Sequence, residues 1–456
     1  MKLVKEIFRE YDIRGIYNYE MDDETAYYIG RAYGTKLREC NKTKTVLAHD
    51  NRLSSPSLAE NMIKGLVDTG IEVLDLGLAT TPMCYFAANY LGTDASMMIT
   101  ASHNPKEYNG FKFSYNGIHN AYGKDVMEIY EIIVSGKFYD GVGKVTNVDV
   151  TEAYIHLILD KLDLGDRKIK VVYDPGNGTT SIVADKIFAR MQNVEAIPIC
   201  NVSDGNFPSH HPDPCVYANL QMLKAKVLEV HADFGVGYDG DGDRVGFVDE
   251  DGNMIETDKY MIIMWHYLCD KVTNKKALFD VKCTKALEDE LIKLGIEPVE
   301  FRTGNSYTRA ESARGEYPLG GELSGHVYFR DKFPGYDDGI YAGMRLIELL
   351  SHSDKKVSEL LGGINKYYST EELKVKVDDT KKFEIINQMV EYAKSKGYNT
   401  VTIDGCKAKF SDGFALVRAS NTGPNITMRF EANTEKRLFE LETEFTSKLD
   451  KYIQML

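Results

Sequence analysis

Two short segments, far apart in the chain, carry residue types and spacings suited to phosphoryl chemistry. Thr100-Ala101-Ser102-His103-Asn104-Pro105 offers a single hydroxyl in a loop, and Asp239-Gly240-Asp241-Gly242-Asp243-Arg244 offers three carboxylates at i, i+2 and i+4. In an extended segment alternate residues point the same way, so the three carboxylates can converge on one point. Gly240 and Gly242 leave the backbone free to curl round an ion without Cβ clashes. An all-oxygen, all-anionic ligand set suits Mg²⁺, Mn²⁺ or Ca²⁺ rather than zinc. Together the segments read as a serine that carries a phosphoryl group and a divalent metal that holds it.

A competing reading of the second segment is the start of an EF-hand calcium loop, with Glu250 at loop position twelve. Position six should then be Gly, and it is Arg244. The flanks Phe234-Gly235-Val236-Gly237-Tyr238 and Val245-Gly246-Phe247-Val248 read as strands rather than helices. A solvated acidic hairpin without an ion is the other alternative.

Further polar groups supply parts of a site. Arg418-Ala419-Ser420-Asn421-Thr422 packs a guanidinium, two hydroxyls and an amide into what reads as one Gly/Pro-bounded turn. Arg suits bidentate phosphate binding, although Ser, Asn and Thr are also ordinary turn formers. Gly321-Glu322-Leu323-Ser324-Gly325-His326 alternates a carboxylate, a hydroxyl and an imidazole. The first two suit sugar hydroxyls, and His326 suits proton shuttling near neutral pH; a structural turn with a solvated histidine is the plainer reading. Tyr11 and Arg14 share a short polar turn. Lys112 can neutralise a phosphate, or act as an acid or base if burial and cationic neighbours depress its pKa. Taken alone, Arg14 and Lys112 read as surface salt-bridge partners.

These loops need a frame, and a weak internal repeat supplies one. Strands ending in Asp recur at Thr45–Asp50, Lys170–Asp174 and Lys276–Asp280. Each is followed by a turn, a helix-like stretch and a second strand, Ile71–Leu76, Val194–Ile199 and Ile296–Phe301. This is βαβ patterning. Each repeat then reaches its own polar loop: Ser102, Asp239–Asp243, and Glu322–His326. In α/β sheets ligands gather at loops leaving the carboxyl ends of strands, so three related domains would present one loop each to a shared cleft. The last ninety or so residues break the pattern, with strands at Glu372–Val377 and Asn425–Ala432. The expected fold is α/β: three tandem related domains with mixed sheets, plus a smaller C-terminal α+β domain, arranged round a central cleft. The expected boundaries are 1–148, 149–253, 254–365 and 366–456.

A chain of 456 residues is long for one core. Apolar and charged contents of 43% and 27% are ordinary for a globular protein. A net charge of −14 argues against nucleic-acid or anionic-membrane partners and requires local cations for any anionic substrate. No apolar run is long enough to span a bilayer, and the charged start does not read as a secretory signal. Seven cysteines without metal-like spacing read as reduced thiols of a cytoplasmic protein.

The four motifs, in this order, resemble those of the α-D-phosphohexomutases, in particular the bacterial phosphomannomutase/phosphoglucomutase branch. Thr100–Pro105 is similar to that family's phosphoserine loop, Asp239–Arg244 to its metal loop, Gly321–His326 to its sugar loop and Arg418–Thr422 to its phosphate loop. The resemblance implies a phosphorylated Ser102, with one Mg²⁺ per chain between it and Asp239, Asp241 and Asp243. It implies a site lined by Tyr11, Arg14, Lys112, Arg244, Lys282 and Asn305, with His103 and Arg244 orienting the phosphoryl group and His326 or Lys112 as proton acceptor. Glu322, Ser324, His326, Arg418, Ser420, Asn421 and Thr422 are then expected to bind the sugar phosphate. The implied reaction is reversible transfer between the 1- and 6-positions of mannose or glucose phosphates through a hexose 1,6-bisphosphate, by a monomer or homodimer. A phosphoglucosamine mutase, or a hexose-bisphosphate synthase or phosphatase, is the alternative enzyme; a non-catalytic sugar-phosphate sensor is the alternative outside catalysis. Two positions bear on the sugar. Asn305 stands where the branch typically has histidine, and Leu323 where the glucosamine branch usually has glutamine.

Overall fold

Three short runs of aliphatic and β-branched residues form the central strands of three sheets: Lys44–His49, Ile169–Asp174 and Lys276–Asp280. Each is flanked on one side by a parallel second strand, Glu72–Leu78, Val194–Pro198 or Glu297–Phe301. On the other side lies a parallel third strand, Ser96–Ile99, Phe234–Tyr238 or Leu319–Gly321. A fourth strand, Tyr108–Ser114, Val245–Asp249 or Val327–Phe329, runs antiparallel to the third. These are the features of a computed structural model, which describes residues 3–117, 119–420 and 423–455. The expected phosphate-loop residues Asn421 and Thr422 lie outside the described residues.

The repeat is therefore one of topology as well as sequence. The turn between third and fourth strands occupies the same place in each unit. It carries Ser102 in the first, Asp239–Asp243 in the second and Glu322–His326 in the third. The strands flanking Asp239–Asp243 form a hairpin, not the helices of an EF-hand.

Mixed sheets with parallel centres need both faces covered. The first unit packs helices Asp23–Glu39, Ser55–Val67 and Lys124–Ser135 into its own core. The other face of its sheet, with Val46, Met83 and Met98, joins a larger core that the second and third units share. Helix Gly339–Ser351 runs through it with every residue buried, and its two charged residues are paired, Arg345 with Asp331 at 2.7 Å and Glu348 with Lys332 at 2.9 Å. Sharing one core fixes these three sheets against one another.

The C-terminal unit is built differently. Its strands Leu373–Lys376, Cys406–Phe410, Gly413–Ala419 and Asn425–Ala432 pair only antiparallel. Helices Lys382–Ser395 and Glu435–Met455 contribute Met389, Leu441 and Phe445 to a core separate from the rest. It meets the third unit through a small apolar contact of Phe414 and Leu416 with Val281. Lys407 adds an ion pair to Glu300 and a 2.8 Å bond to the Val281 carbonyl. An interface this small and polar permits relative motion. No helix among the described residues is long and apolar enough to cross a membrane.

The first and second units touch where their loops meet. A Cβ on Gly240 would lie 2.6 Å from the Ser102 carbonyl oxygen, and one on Gly178 would lie 2.7 Å from that of Gly240. These are backbone contacts that no rotamer change relieves. Gly240→Ala should therefore push the two loops apart while each unit stays folded. We expect turnover to fall by about a hundredfold, the scale of a 1 Å misplacement of reacting groups, with little change in the thermal unfolding midpoint. Steady-state kinetics and a calorimetric scan on the same sample check this; undiminished turnover would show that the loops do not depend on that approach.

Candidate active site

All four units contribute to one cleft of about 470 Å³. Its described lining holds the cations Arg9, Arg14, Lys112, Arg244, Lys282, Lys374 and Arg418 against the carboxylates Asp12, Glu322 and Glu372. An acidic protein thus keeps a locally basic hollow, the compensation an anionic substrate requires.

Ser102 sits at the floor, buried and with φ +50°. Such a left-handed backbone is uncommon for a residue with a Cβ and persists only when its surroundings fix it. They do so here. The Ser102 amide donates to Thr100 Oγ1 at 2.9 Å. Its carbonyl accepts from the Arg52 guanidinium at 2.8 Å. Arg52 is wholly buried and also donates to the carbonyls of Asn104 and Pro105, each at 2.6 Å, and of Tyr108 at 3.2 Å. Arg14 supports the same loop through the Ala101 carbonyl at 3.1 Å and Asn104 Oδ1 at 3.0 Å. It is buried, not a surface cation. The Ser102 hydroxyl donates to Asp239 Oδ2 at 2.7 Å and lies 3.3 Å from His103 Nδ1. Burial, and then the nearby Arg244 and Arg14 guanidinium groups, hold His103 well below the usual imidazole range.

The three aspartates converge through a turn rather than an extended run, with Gly242 at φ +79°. Their ligand oxygens lie within 4.8 Å of one another, and all three residues are buried. Burial, and then the charges of Asp241 and Asp243, push Asp239 well above the usual carboxylate range. Asp241 Oδ1 and Asp243 Oδ1 are buried without a hydrogen-bond partner among the described residues. Orphaned carboxylate oxygens facing a serine hydroxyl, in an oxygen-only donor set, fit a hard divalent cation. Lys112 donates to Asp241 Oδ2 at 3.0 Å and Asp243 Oδ2 at 2.6 Å. Burial alone would lower this ammonium, but those two carboxylates hold it well above its ordinary value. The condition for a depressed Lys112 is thus not met, because its nearest charges are anions, and its ion pairs are buried rather than at the surface.

The third unit's turn is also buried. Glu322 accepts from the Gly304 amide at 3.2 Å and from the Tyr328 hydroxyl at 3.0 Å, and Ser324 Oγ lies 3.4 Å from it. His326 is not solvated. Its Nδ1 lies 2.7 Å from Asp337 Oδ2, at ion-pair distance though off the axis of a good hydrogen bond. Its Nε2 accepts from Arg244 Nε at 3.1 Å. The ring therefore links Asp337 to Arg244, which itself lies 3.9 Å from Asp239. Asn305 opens helix Asn305–Gly315 and donates weakly to Asp337, at 3.4 Å.

Arg418 belongs to strand Gly413–Ala419, not to a turn. The Gly/Pro spacing of the sequence placed the end of that strand too early. Arg418 is buried and donates to Asp404 Oδ2 at 2.9 Å, and the same oxygen accepts the Thr303 amide at 3.0 Å. Asp404 therefore ties the C-terminal unit to the third. Ser420 lines the cleft beside Arg418, and its carbonyl accepts from Lys382 Nζ at 2.7 Å. Tyr11 reaches the Thr303 carbonyl at 3.0 Å, and Lys282 stands 4.0 Å from Asp280 and 3.7 Å from Glu372.

The structure adds Arg52, Asp337, Asp404, Glu372 and Lys374 to this set. Arg52 follows the first strand's terminal Asp50, so the repeat pointed to its neighbourhood. Asp337 and Asp404 sit in segments with no motif of their own.

Profiles of known families cover most of the chain. Phosphoglucomutase/phosphomannomutase alpha/beta/alpha domains I, II and III match residues 5–140, 152–252 and 256–367, and the C-terminal domain matches 372–448. A phosphomannomutase/phosphoglucomutase of Pseudomonas syringae is 39% identical over 445 residues, 98% of this chain and 95% of the relative. A phosphoglucomutase of Neisseria gonorrhoeae is 38% identical over 452 residues, 98% of this chain and 97% of the relative. The crystal structure of a phosphoglucomutase/phosphomannomutase family protein from Burkholderia thailandensis superposes with a TM-score of 0.92 at 36% identity, covering 99% of this chain and 98% of that one. With four domains matched in order and the strand-to-strand turns meeting in one cleft, the chain belongs to the phosphoglucomutase/phosphomannomutase family.

Proposed function

We propose that the protein is a phosphohexomutase that moves a phosphoryl group reversibly between the 1- and 6-positions of mannose or glucose phosphates. It acts through phospho-Ser102 and a hexose 1,6-bisphosphate. The observation that carries this reading is the Ser102 hydroxyl at the floor of a cationic cleft, 2.7 Å from Asp239 in a cluster of three buried aspartates. Asp239, Asp241 and Asp243 would hold a magnesium ion together with Ser102. When bound, it supplies positive charge to offset that on the transferring group.

The remaining work falls to the chain itself. Arg244, fixed from behind by His326, and His103 orient the phosphoryl group. The sugar's free hydroxyl attacks phosphorus and passes its proton to His326, while the bond to Ser102 Oγ breaks with its electron pair left on that oxygen, which takes a proton from the Lys112 ammonium in the same cleft. The His326 ring can accept its proton once the phosphoryl group draws the Arg244 guanidinium away from Nε2, and Asp337 steadies the cation formed. Lys112, held protonated until then, contributes charge. Glu322 and Ser324 bind sugar hydroxyls, while Arg418, Ser420, Asn421 and Thr422 take the phosphate that is not reacting. The bisphosphate then turns end for end and returns its other phosphate to Ser102. One site must accept either end of the sugar, which explains separate sugar and phosphate subsites. The relatives are named phosphomannomutase/phosphoglucomutase and phosphoglucomutase, which supports mannose and glucose phosphates as the substrates here rather than glucosamine phosphates. A reducing, cytoplasmic setting fits the seven unpaired cysteines.

Ser102→Ala should lower mutase turnover by several orders of magnitude, as for loss of a nucleophile, with the fold intact. Side-by-side assays on mannose 1-phosphate, glucose 1-phosphate and glucosamine 1-phosphate, primed with hexose 1,6-bisphosphate, measure it. Wild-type turnover would overturn the reading.

Asn305→His puts an ionisable ring in place of the amide that now lies 3.4 Å from Asp337. It should change the ratio of mannose to glucose turnover or the pH–rate profile; unchanged ratios and profile would remove Asn305 from the sugar's surroundings.

Arg418→Ala removes the buried guanidinium of the phosphate subsite. It should raise KM and lower kcat/KM roughly ten- to several-hundredfold, on the scale of ~1.5–3 kcal/mol for a hydrogen bond to a charged group. Release of inorganic phosphate should increase as the cleft closes less well. Parallel KM, kcat and free-phosphate measurements decide it, and an unchanged KM would put the second phosphate elsewhere.

A further inference from the structure

The Asp that ends the central strand serves the cleft in the first and third units. Asp50 accepts from Thr100 Oγ1 at 2.8 Å and from Arg52 at 3.1 Å. Asp280 accepts from the Leu323 amide at 3.2 Å and from Thr303 Oγ1 at 3.1 Å. In the second unit the equivalent residue, Asp174, faces away from that task. Its Oδ2 lies 2.9 Å from His210 Nε2, and the ligand atoms of Asp174, Cys200 and His210 all lie within 4.8 Å of one another. Asp174 is buried, whereas Cys200 and His210 are half-buried, so the cluster is open on one side.

We propose that Asp174, Cys200 and His210 form a second cation site, for Zn²⁺ or a similar thiolate-binding transition ion, separate from the oxygen-only site in the cleft. The donor set is the first support. Sulfur, imidazole and carboxylate suit a borderline-soft tetrahedral ion, with water in the fourth place, and do not suit Mg²⁺.

The second support is the outer shell. His210 Nδ1 lies 3.0 Å from the His211 carbonyl, which fixes the tautomer and aims Nε2 at the cluster. Asp174 Oδ1 accepts from the Gly176 amide at 2.8 Å, which leaves Oδ2 to the cluster. Such bonds accompany metal-binding histidines and carboxylates. Without an ion, burial acts to lower His210, but the bonds to Asp174 and Cys200 raise it to about 10. Binding therefore releases the imidazolium proton and the thiol proton, and the freed lone pairs form the bonds to the metal.

Occupancy would tie the strand end at Asp174 to the segment that carries Cys200 and His210. That segment packs on Asn51 and on Arg52, which holds the carbonyls of the Ser102 loop. Asn51 donates to Ser203 Oγ at 3.0 Å, and the Phe207 ring lies 5.3 Å from the Arg52 guanidinium.

The test uses the full-length protein, stripped by a chelator, saturated with Mg²⁺ to fill the oxygen site and titrated with Co²⁺, which reports a thiolate ligand by an intense sulfur-to-cobalt absorption. We expect the band to saturate at one Co²⁺ per chain, to disappear on adding Zn²⁺ and to accompany proton release. It should be lost in Cys200→Ser, be weakened at least tenfold in affinity in His210→Gln, and survive in Asp239→Asn. No band in the wild type, or an undiminished band in Cys200→Ser, overturns the proposal. If Cys200→Ser does not fold, unchanged cobalt affinity in His210→Gln overturns it equally.

Discussion

The arrangement of the whole cleft depends on one buried guanidinium. Arg52 gathers four main-chain carbonyls of the phosphoserine segment, those of Ser102, Asn104, Pro105 and Tyr108, and is paired with Asp50. A loop with so many inward-facing carbonyls would otherwise leave acceptors unsatisfied away from water, at a cost of ~1–3 kcal/mol for each such group. Arginine's five fixed donors suit that task where a lysine's point charge would not. Because the carbonyls face Arg52, the loop can keep Ser102 in its left-handed conformation and turn the hydroxyl towards Asp239. Asp50 also holds Thr100 and Ser55, so one carboxylate at the end of a central strand transmits the rigidity of the sheet to the reacting atom.

The charge arrangement follows from the same geometry. Three aspartates with no accessible surface form a poor resting state, and Lys112 offsets only part of the repulsion. The structure tolerates this because the second and third units share a core around helix Gly339–Ser351, which fixes the turns at their edges. In the proposed mechanism a cation at the aspartates, and then a phosphate at the surrounding arginines and lysines, would relieve opposite excesses of charge in one small volume. Within the cleft the local cations outweigh the global charge of −14, since charges beyond about 8 Å are largely screened at physiological ionic strength.

Much of this was legible in the sequence because local rules govern it. The βαβ repeat, its terminal aspartates and the glycine-spaced Asp239–Asp243 turn are all set by residue type and spacing, and the observed strands match within a residue or two. What escaped was of two kinds. Arg418 was placed in a turn because Gly423 and Pro424 read as its boundary, whereas cross-strand pairing of Arg418 with Thr427 extends the strand through it. Lys112, taken alone, read as a surface salt-bridge partner, whereas it is buried against Asp241 and Asp243, and Asp337 and Arg52 were not singled out at all. Each of these depends on which loops face one another across units, and no spacing along the chain encodes that. Asn305 falls between the two kinds. Its departure from the family pattern is visible in sequence, but its proximity to Asp337 is not.

The same distinction explains the fourth unit. It has its own core and meets the third across a narrow contact, yet it supplies Arg418, Ser420 and Lys374 to the cleft. A unit held this way can close over a substrate and open to let a bisphosphate turn, which a shared core like that of units two and three would forbid. Asp404 is the critical joint. One of its oxygens holds Arg418 in its own unit and the Thr303 amide in the next. Thr303 in turn bonds Asp280, whose other oxygen accepts the amide of Leu323 in the sugar loop. On the proposed assignment, a phosphate arriving at Arg418 would compete with Asp404 for that guanidinium. Filling the proposed phosphate subsite and keeping the joint to the third unit would then be opposed through a single carboxylate. Closure would be favoured only by a ligand that spans both proposed subsites and replaces the contacts that Asp404 gives up. A lone phosphate would not do this and a hexose phosphate would, so in the proposed mechanism the exclusion of water from phospho-Ser102 would depend on the sugar being present.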